Sequence, residues 1–222
     1  MARLGLVALA TLSMSACALR TYSAKEIEGW VVDAETKQPI EGANVVADWW
    51  LKIGKGGRSL VLMEAVTDKN GRFYFPAWGP TEIPSAYPPD ARLTNQDPAI
   101  RILKIGYRTR ALDNELQAWM LDRYQHGPFV RESRWNGKTI ELKKFEGDPK
   151  AYALSLGMFL TGPSWGRCGW TKIPKTMATL VREGEKLDKA RVLHGVPTIK
   201  SIEATSEGEP CAGTARQLLG IQ

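Results

Sequence analysis

Histidine is nearly absent from this chain: His126 and His194 are the only two in 222 residues. A three-histidine metal site is therefore impossible, and neither residue stands in a His-Glu-x-x-His or His-x-x-Glu pattern. Cysteine is as sparse, with three in all and no Cys-x-x-Cys pair, which argues against a zinc site. The Gly-Lys-Ser/Thr ending of a nucleotide loop is missing. Its nearest approach, Gly54-Lys-Gly-Gly57 with Lys52 and Arg58, can cradle a phosphate but better suits a flexible hairpin tip. Asp68-Lys-Asn-Gly71 begins like a calcium loop, yet its glycine comes too early and no bidentate Glu follows. Asp122 and His126 stand four apart, but Gly127-Pro128 ends any helix there, so a surface contact is the expectation. Ser164 in Gly162-Pro-Ser-Trp-Gly166 has a passing likeness to a nucleophile elbow, but Pro163 and a single downstream histidine, His194, argue against that role. No catalytic residue, metal or cofactor is expected.

What is present is ordinary globular material, 43% hydrophobic and 24% charged. The formal charge of +6 is spread along the chain. Such an excess suits weak attraction to anionic envelope polymers or lipid headgroups and argues against a nucleic-acid partner.

The clearest pattern is alternation. Gly29 to Asp33 and Ala43 to Trp50 place small or apolar side chains at every second position, so Ala43, Val45, Ala47 and Trp49 share one face. Thr36-Lys37-Gln38-Pro39 supplies a connection between them. Thr67-Asp68-Lys69-Asn70-Gly71 predicts a hairpin, because Asp braces a tight turn while Asn and Gly accept positive φ, and Phe73 and Phe75 then point the same way. Asn136-Gly137 marks a turn before a last strand.

Gly29, Val31 to Asp33, Pro39-Ile-Glu-Gly-Ala-Asn-Val45 and Thr67-Asp-Lys-Asn-Gly-Arg-Phe73 together resemble the carboxypeptidase regulatory-like domain. Ile100-Arg-Ile-Leu-Lys-Ile-Gly-Tyr107 and Thr139-Ile-Glu-Leu-Lys143 fit the places of its later strands, so the resemblance covers roughly residues 26 to 145. It implies a transthyretin-like antiparallel β-sandwich working as a binding or structural module. The histidine motifs of the zinc carboxypeptidase that often precedes that module are not found here.

The first residues resemble a bacterial lipoprotein signal. Arg3 is followed by the apolar stretch Leu4 to Leu12, too short to span a bilayer, and Ser13-Met-Ser-Ala16 places small residues before Cys17. The resemblance implies cleavage after residue 16 and acylation of Cys17, where each buried methylene adds about 0.8 kcal/mol and several chains make attachment permanent. An ordinary secretory signal cut after Ala18 is the alternative. Three cysteines in an exported protein leave one over, and giving Cys17 to lipid leaves Cys168 and Cys211 as a disulfide pair. Ala18 after the cysteine resembles the outer-membrane sorting pattern, so the expected address is the outer membrane, facing the periplasm or the cell surface.

Four segments follow: a signal peptide (1–16), an anchor linker (17–25), the regulatory-like sandwich (26–146) and a helical extension with the disulfide (147–222). Within the sandwich, residues 76–98 hold Pro76, Pro80, Pro84, Pro88, Pro89 and Pro98, which predicts a long extended insert. Ala111 to Tyr124 predicts a short helix capped by Asp113 with Leu112, Leu116, Trp119 and Met120 on one face. Asp148-Pro149 starts another helix with Ala151, Leu154, Met158 and Phe159 inward. Met177, Leu180, Val181 and Leu187 mark one after Pro174, with Gly184 its weak point.

Eight tryptophans cannot all share one small core. Trp49 and Trp50 face opposite ways, so the outer sheet face needs a cover, and the helical extension is the candidate. Trp50, Trp78 and Tyr87 are the expected contact surface. The function expected is a lipid-anchored, non-catalytic envelope module docking a protein partner, with glycan binding through exposed tryptophans as the alternative.

Overall fold

The computed structural model describes residues 21–115, 129–159, 167–192, 195–205, 211 and 215–221. Cys17, the signal segment, His126, His194, Ser164, Trp119 and Trp165 lie outside them. The fold is mainly β, with helices gathered toward the C-terminus. One sheet places β2 (Ile27–Asp33) between β5 (Arg72–Phe75), antiparallel, and β11 (Lys138–Leu142), parallel. The facing sheet runs β4 (Gly56–Val66), β3 (Asn44–Ile53), β8 (Ala99–Leu103) and β9 (Arg110–Leu112), all antiparallel, and the two-residue β7 (Arg92–Leu93) pairs the far end of β3. A third sheet sets β1 (Thr21–Ala24) between β6 (Trp78–Glu82) and β10 (Phe129–Arg131), the latter parallel.

Alternation decides what lies inside. Val31, Phe73, Phe75, Ile140 and Leu142 of one sheet meet Val45, Ala47, Trp49, Leu51, Ile100 and Ile102 of the other in one core. Ala43, Val45, Ala47 and Trp49 share the inner face as the sequence pattern requires. Gly29 lies under Phe73, where a Cβ would stand 2.7 Å from the ring.

The turn at 67–71 forms with the expected chemistry but joins two sheets instead of closing a hairpin. Asp68 Oδ1 accepts from the Asn70 and Arg72 amides at 2.8 and 2.9 Å, and Gly71 takes φ 72°. Strand β4 ends in pairing with β3, whereas β5 pairs with β2. Thr67 fixes the crossing: its hydroxyl donates to the Ile40 carbonyl at 2.6 Å and accepts from the Ala43 amide at 2.8 Å, while Gly71 offers its carbonyl to the Val31 amide in the opposite sheet.

Other expectations need correction. The linker reaches no further than residue 20, because Thr21–Ala24 is a strand with Tyr22 and Ala24 buried. The proline-rich insert is not a free extended arm: it contributes β6 and β7, and Ile83, Ala91 and Leu93 enter the main core. Its Gly79-Pro80 and Asp97-Pro98 bonds are cis. The helix expected from Ala111 does not begin there. Leu112 is drawn into the ladder opposite Ile100, and Glu115 bridges Gln96; the remainder of that stretch lies outside the described residues.

Helix α1 (Pro149–Phe159) starts as predicted, with Asp148 Oδ1 accepting from the Lys150 and Ala151 amides. Its buried face is Ala153, Leu156 and Phe159, so of the four residues expected on it only Phe159 is buried: Ala151 is exposed, and Leu154 and Met158 are 54% and 58% exposed. A 3-10 turn (Arg167–Lys172) leads to α2 (Pro174–Lys189), and α3 (Ile199–Thr205) and α4 (Ala215–Leu219) follow. Met177, Leu180, Val181 and Leu187 are buried as expected. Gly184 is not a weak point but a crossing point, where the carbonyl oxygen of Pro197 lies 2.2 Å from the place of a Cβ.

These helices cover the outer face of the β4-β3-β8 sheet. Val46, Leu62 and Leu103 pack with Leu156, Trp170, Ile173, Met177 and Val181 in a second core. Ile173 at the N-cap of α2 brings no side-chain cap, and Glu64 of β4 takes that part: its carboxylate accepts from the Lys175 and Thr176 amides at 2.9 and 2.8 Å and from the Thr176 hydroxyl at 2.8 Å. Asn44 donates to Thr179 Oγ1 at 3.1 Å. Cys168 and Cys211 form a disulfide with Cα atoms 5.3 Å apart.

Candidate functional site

The described helices cover the outer face of strand β3 for only part of its length. Along its outer side, Asn44 and Val46 lie under the helices and Asp48 is buried with its charge facing Arg101 of β8. Beyond Asp48 come Trp50, half-buried, and Lys52, exposed. There the short strand β7 sets Arg92 directly opposite Lys52, with Leu51 and Leu93 paired on the inner face. Two cations side by side across a ladder repel one another. Among the described residues neither forms an ion pair; Arg92 reaches only the Asp90 carbonyl, at 3.3 Å.

The pair forms one wall of a cleft of about 260 Å³ completed by Leu93, Thr94, Asn95, Gln96 and Glu115. The Thr94 amide donates to the Trp50 carbonyl at 2.9 Å, which fixes the chain beyond β7 against β3. Among the described residues the buried Thr94 Oγ1 has no hydrogen-bond partner. Gln96 accepts from the Asn114 amide through Oε1 at 3.1 Å, which leaves its NH2 group as its remaining donor.

Behind this wall lies a buried polar support. Arg131 and Asp97 pair at 2.8 Å with side chains 5% and 1% exposed, and Arg131 Nη2 donates to the Thr94 carbonyl at 2.9 Å. Burial pushes the Asp97 carboxyl up to about 7, against the downward pull of Arg131. Asn114 Nδ2 donates to the carbonyls of Asp97 and Pro98 and to Ser133 Oγ. The cleft floor is thus held by charge-assisted bonds rather than left as a loose loop.

The expected contact residues do not gather into one exposed surface. Trp78 is half-buried, edge-on to Trp49 with centroids 5.4 Å apart. Tyr87 packs on the main core, and its hydroxyl accepts from Arg58 Nη1 at 2.5 Å. Trp50 leans over Gly57, where a Cβ would stand 2.7 Å from its Nε1. No described tryptophan is exposed. Gly54-Lys-Gly-Gly57 is the expected hairpin tip, Ile53 pairing Gly56, and it sends Lys52 and Arg58 to opposite faces. No group of three or more His, Cys, Asp and Glu residues with metal-binding geometry occurs among the described residues. A larger cleft of about 450 Å³ runs along the joint between sandwich and helices, lined by Asn44, Val66, Lys175, Arg182 and Leu219.

Sequence reasoning passed over Arg92, Thr94 and Asn95. Their only local signal was the polar run inside a proline-rich stretch, because the pairing that makes them a site is long-range.

No protein-family model and no curated protein sequence matches the chain. Among solved structures it is similar to catechol 1,2-dioxygenase of Acinetobacter radioresistens, with 18% identity, TM-score 0.31, and 57% of this chain over 53% of that one. The 3-chlorocatechol 1,2-dioxygenase of Rhodococcus opacus gives 18% identity, TM-score 0.32, and 58% over 62%. A type II cohesin-X-dockerin complex from Acetivibrio cellulolyticus gives 18% identity, TM-score 0.24, and 53% over 56%. The chain thus spans little more than half the length of the first of these. At such scores the likenesses reach no further than β-rich architecture.

Proposed function

We propose that this chain is a lipid-anchored, non-catalytic module of the cell envelope, tethered through Cys17 at the outer membrane and docking a protein partner. The observation that carries the reading is the Cys168–Cys211 disulfide. It suits an oxidising compartment and leaves Cys17 as the odd cysteine, directly after an apolar leader-like stretch. The resemblance to carboxypeptidase regulatory-like domains supports a binding role in place of a catalytic one. With the body beginning at Thr21, the anchor would hold the third sheet close to the membrane surface. Labelling cells with a fatty-acid analogue should mark the wild-type chain and not Cys17→Ser. Crosslinking in intact envelopes should then recover one stoichiometric protein; an unlabelled wild-type chain overturns the anchor, and recovery of sugar polymer alone overturns the protein partner.

A second reading, glycan binding, is favoured by the open end of the β3 outer face. There half-buried Trp50 and exposed Lys52 share the outer face of β3, and Lys52 stands opposite Arg92 beside a cleft lined by Thr94, Asn95 and Gln96.

A further inference from the structure

We infer that the cleft between β3 and β7 is a binding site for a sugar residue carrying an oxyanion, a phosphate or a carboxylate. Three independent features converge on it. Lys52 and Arg92 are exposed and paired across the ladder with no acidic partner within ion-pair distance among the described residues, an arrangement that an anion between them relieves. Thr94 lies in the same wall with its Oγ1 buried and without a hydrogen-bond partner among the described residues, so a rotation of that side chain would bring an unmet hydroxyl to a ligand oxygen. The remaining polar lining, the Asn95 amide, the Gln96 NH2 and the Glu115 carboxylate, offers both donors and an acceptor, the mixture that hydroxyls require and that a bare ion does not.

Size limits the occupant. The volume of about 260 Å³ falls below the roughly 300–1,000 Å³ of pockets that enclose a drug-sized ligand, so the cleft takes a single small residue and leaves any polymer it belongs to outside. The backbone of the floor is preorganised, because Arg131 holds the Thr94 carbonyl and pairs with Asp97, whereas the exposed Lys52 and Arg92 side chains become ordered on binding. The Trp50 ring lies on the same sheet face, leaning toward β4. It thus leans away from β7 and is not part of the cleft lining.

This deepens the glycan reading and does not depend on the lipid anchor. The test titrates the full chain in detergent micelles with glucose 6-phosphate, glucuronic acid, glucose and inorganic phosphate, followed by calorimetry. At least one of the two charged sugars should bind, with glucose at least about tenfold weaker because it lacks the charge-assisted bonds. Arg92→Ala and Lys52→Ala should each weaken the charged sugar by about tenfold, and raising salt from about 0.05 M to about 0.5 M should weaken it several-fold. Both side chains are exposed, so unfolding will not confuse the result, and an unchanged thermal midpoint checks that. Equal binding of glucose, or of inorganic phosphate and the sugar phosphate, overturns the assignment. So does charged-sugar binding that Arg92→Ala leaves intact. Retention on neutral sugar polymers without charged-sugar binding would keep the glycan reading and sink this inference. No retention on any saccharide sinks both.

Discussion

Replacing Gly184 of α2 by alanine sets two known magnitudes against each other. In a helix interior glycine costs about 1 kcal/mol relative to alanine, so propensity alone predicts that Gly184→Ala stabilises by that amount. The packing predicts the reverse. A Cβ at this position would stand 2.2 Å from the Pro197 carbonyl oxygen, 3.1 Å from its carbonyl carbon and 3.3 Å from Val196 Cγ1. The closest of these is backbone, which cannot swing aside as a side chain does, and relief requires the 196–197 segment to retreat by more than an ångström. That segment is pinned. Val196 and Ile199 are buried, the Thr198 amide donates to Ser201 Oγ at 2.9 Å, and the Ile199 amide donates to Glu185 Oε1 at 3.1 Å. Overpacking of this kind costs typically about 1–3 kcal/mol, and a backbone clash belongs at the upper end. After the propensity gain the expected net is a loss of about 1–2 kcal/mol. Urea titration followed by tryptophan fluorescence measures it as a lower midpoint at unchanged slope. A midpoint equal to or above that of the wild type would refute the close crossing of α2 and the 196–197 segment.

Three further outcomes follow from contacts elsewhere in the chain. Glu64→Ala removes the carboxylate that caps α2 and should cost about 1–2 kcal/mol in denaturant titration, whereas Glu64→Gln, which keeps an acceptor, should lose less. Asp33 accepts from the Thr36 and Glu35 amides and the Tyr107 hydroxyl, and these bonds, with Lys144 nearby, draw its carboxyl down to about 2. Because the folded state holds this proton less tightly than the unfolded one, the stabilisation is present above about pH 4 and is lost as pH falls toward about 2. Asp33→Asn should therefore be less stable than wild type at pH 7 in thermal melts, and the gap should close near pH 2. Reducing the Cys168–Cys211 bond opens a loop of 43 positions, worth about 4 kcal/mol in the chain-entropy model. Reductant should lower the denaturation midpoint of the wild type and leave Cys168→Ala/Cys211→Ala unmoved.

The strands were legible because period-2 alternation is written locally. Ala43, Val45, Ala47 and Trp49 announce their common face, and the Asp68 and Gly71 turn residues announce a reversal. What the turn joins was not legible: Thr67 and Gly71 choose between two sheets through bonds to Ala43, Ile40 and Val31, all distant in sequence. The helix start at Asp148 was legible for the same reason as the turns, whereas its face was not. Leu154 and Met158 satisfy helical spacing as well as Ala153, Leu156 and Phe159, and only the direction of the covered sheet decides between them. The cleft was the least visible feature. Lys52 and Arg92 are unremarkable cations until β7 folds back on β3, and proline content conceals the two-residue strand that does so.

Strand β3 explains why cover and cleft occur together. Its inner residues are uniformly apolar, so the sandwich core runs along its length, while its outer residues change in character from Asn44 and Val46 through Asp48 to Trp50 and Lys52. Helices can cover the first part because Val46, with Leu62 and Leu103 of the neighbouring strands, supplies apolar area, and because Glu64 and Asn44 satisfy the polar groups that α2 brings. They cannot continue over Lys52 and Arg92 without burying two like charges. Among the described residues the helical layer therefore stops where the outer face becomes cationic. The surface that the described helices leave uncovered there is polar, carries Lys52 and Arg92 beside Glu115, and is backed by the ion pair of Asp97 with Arg131.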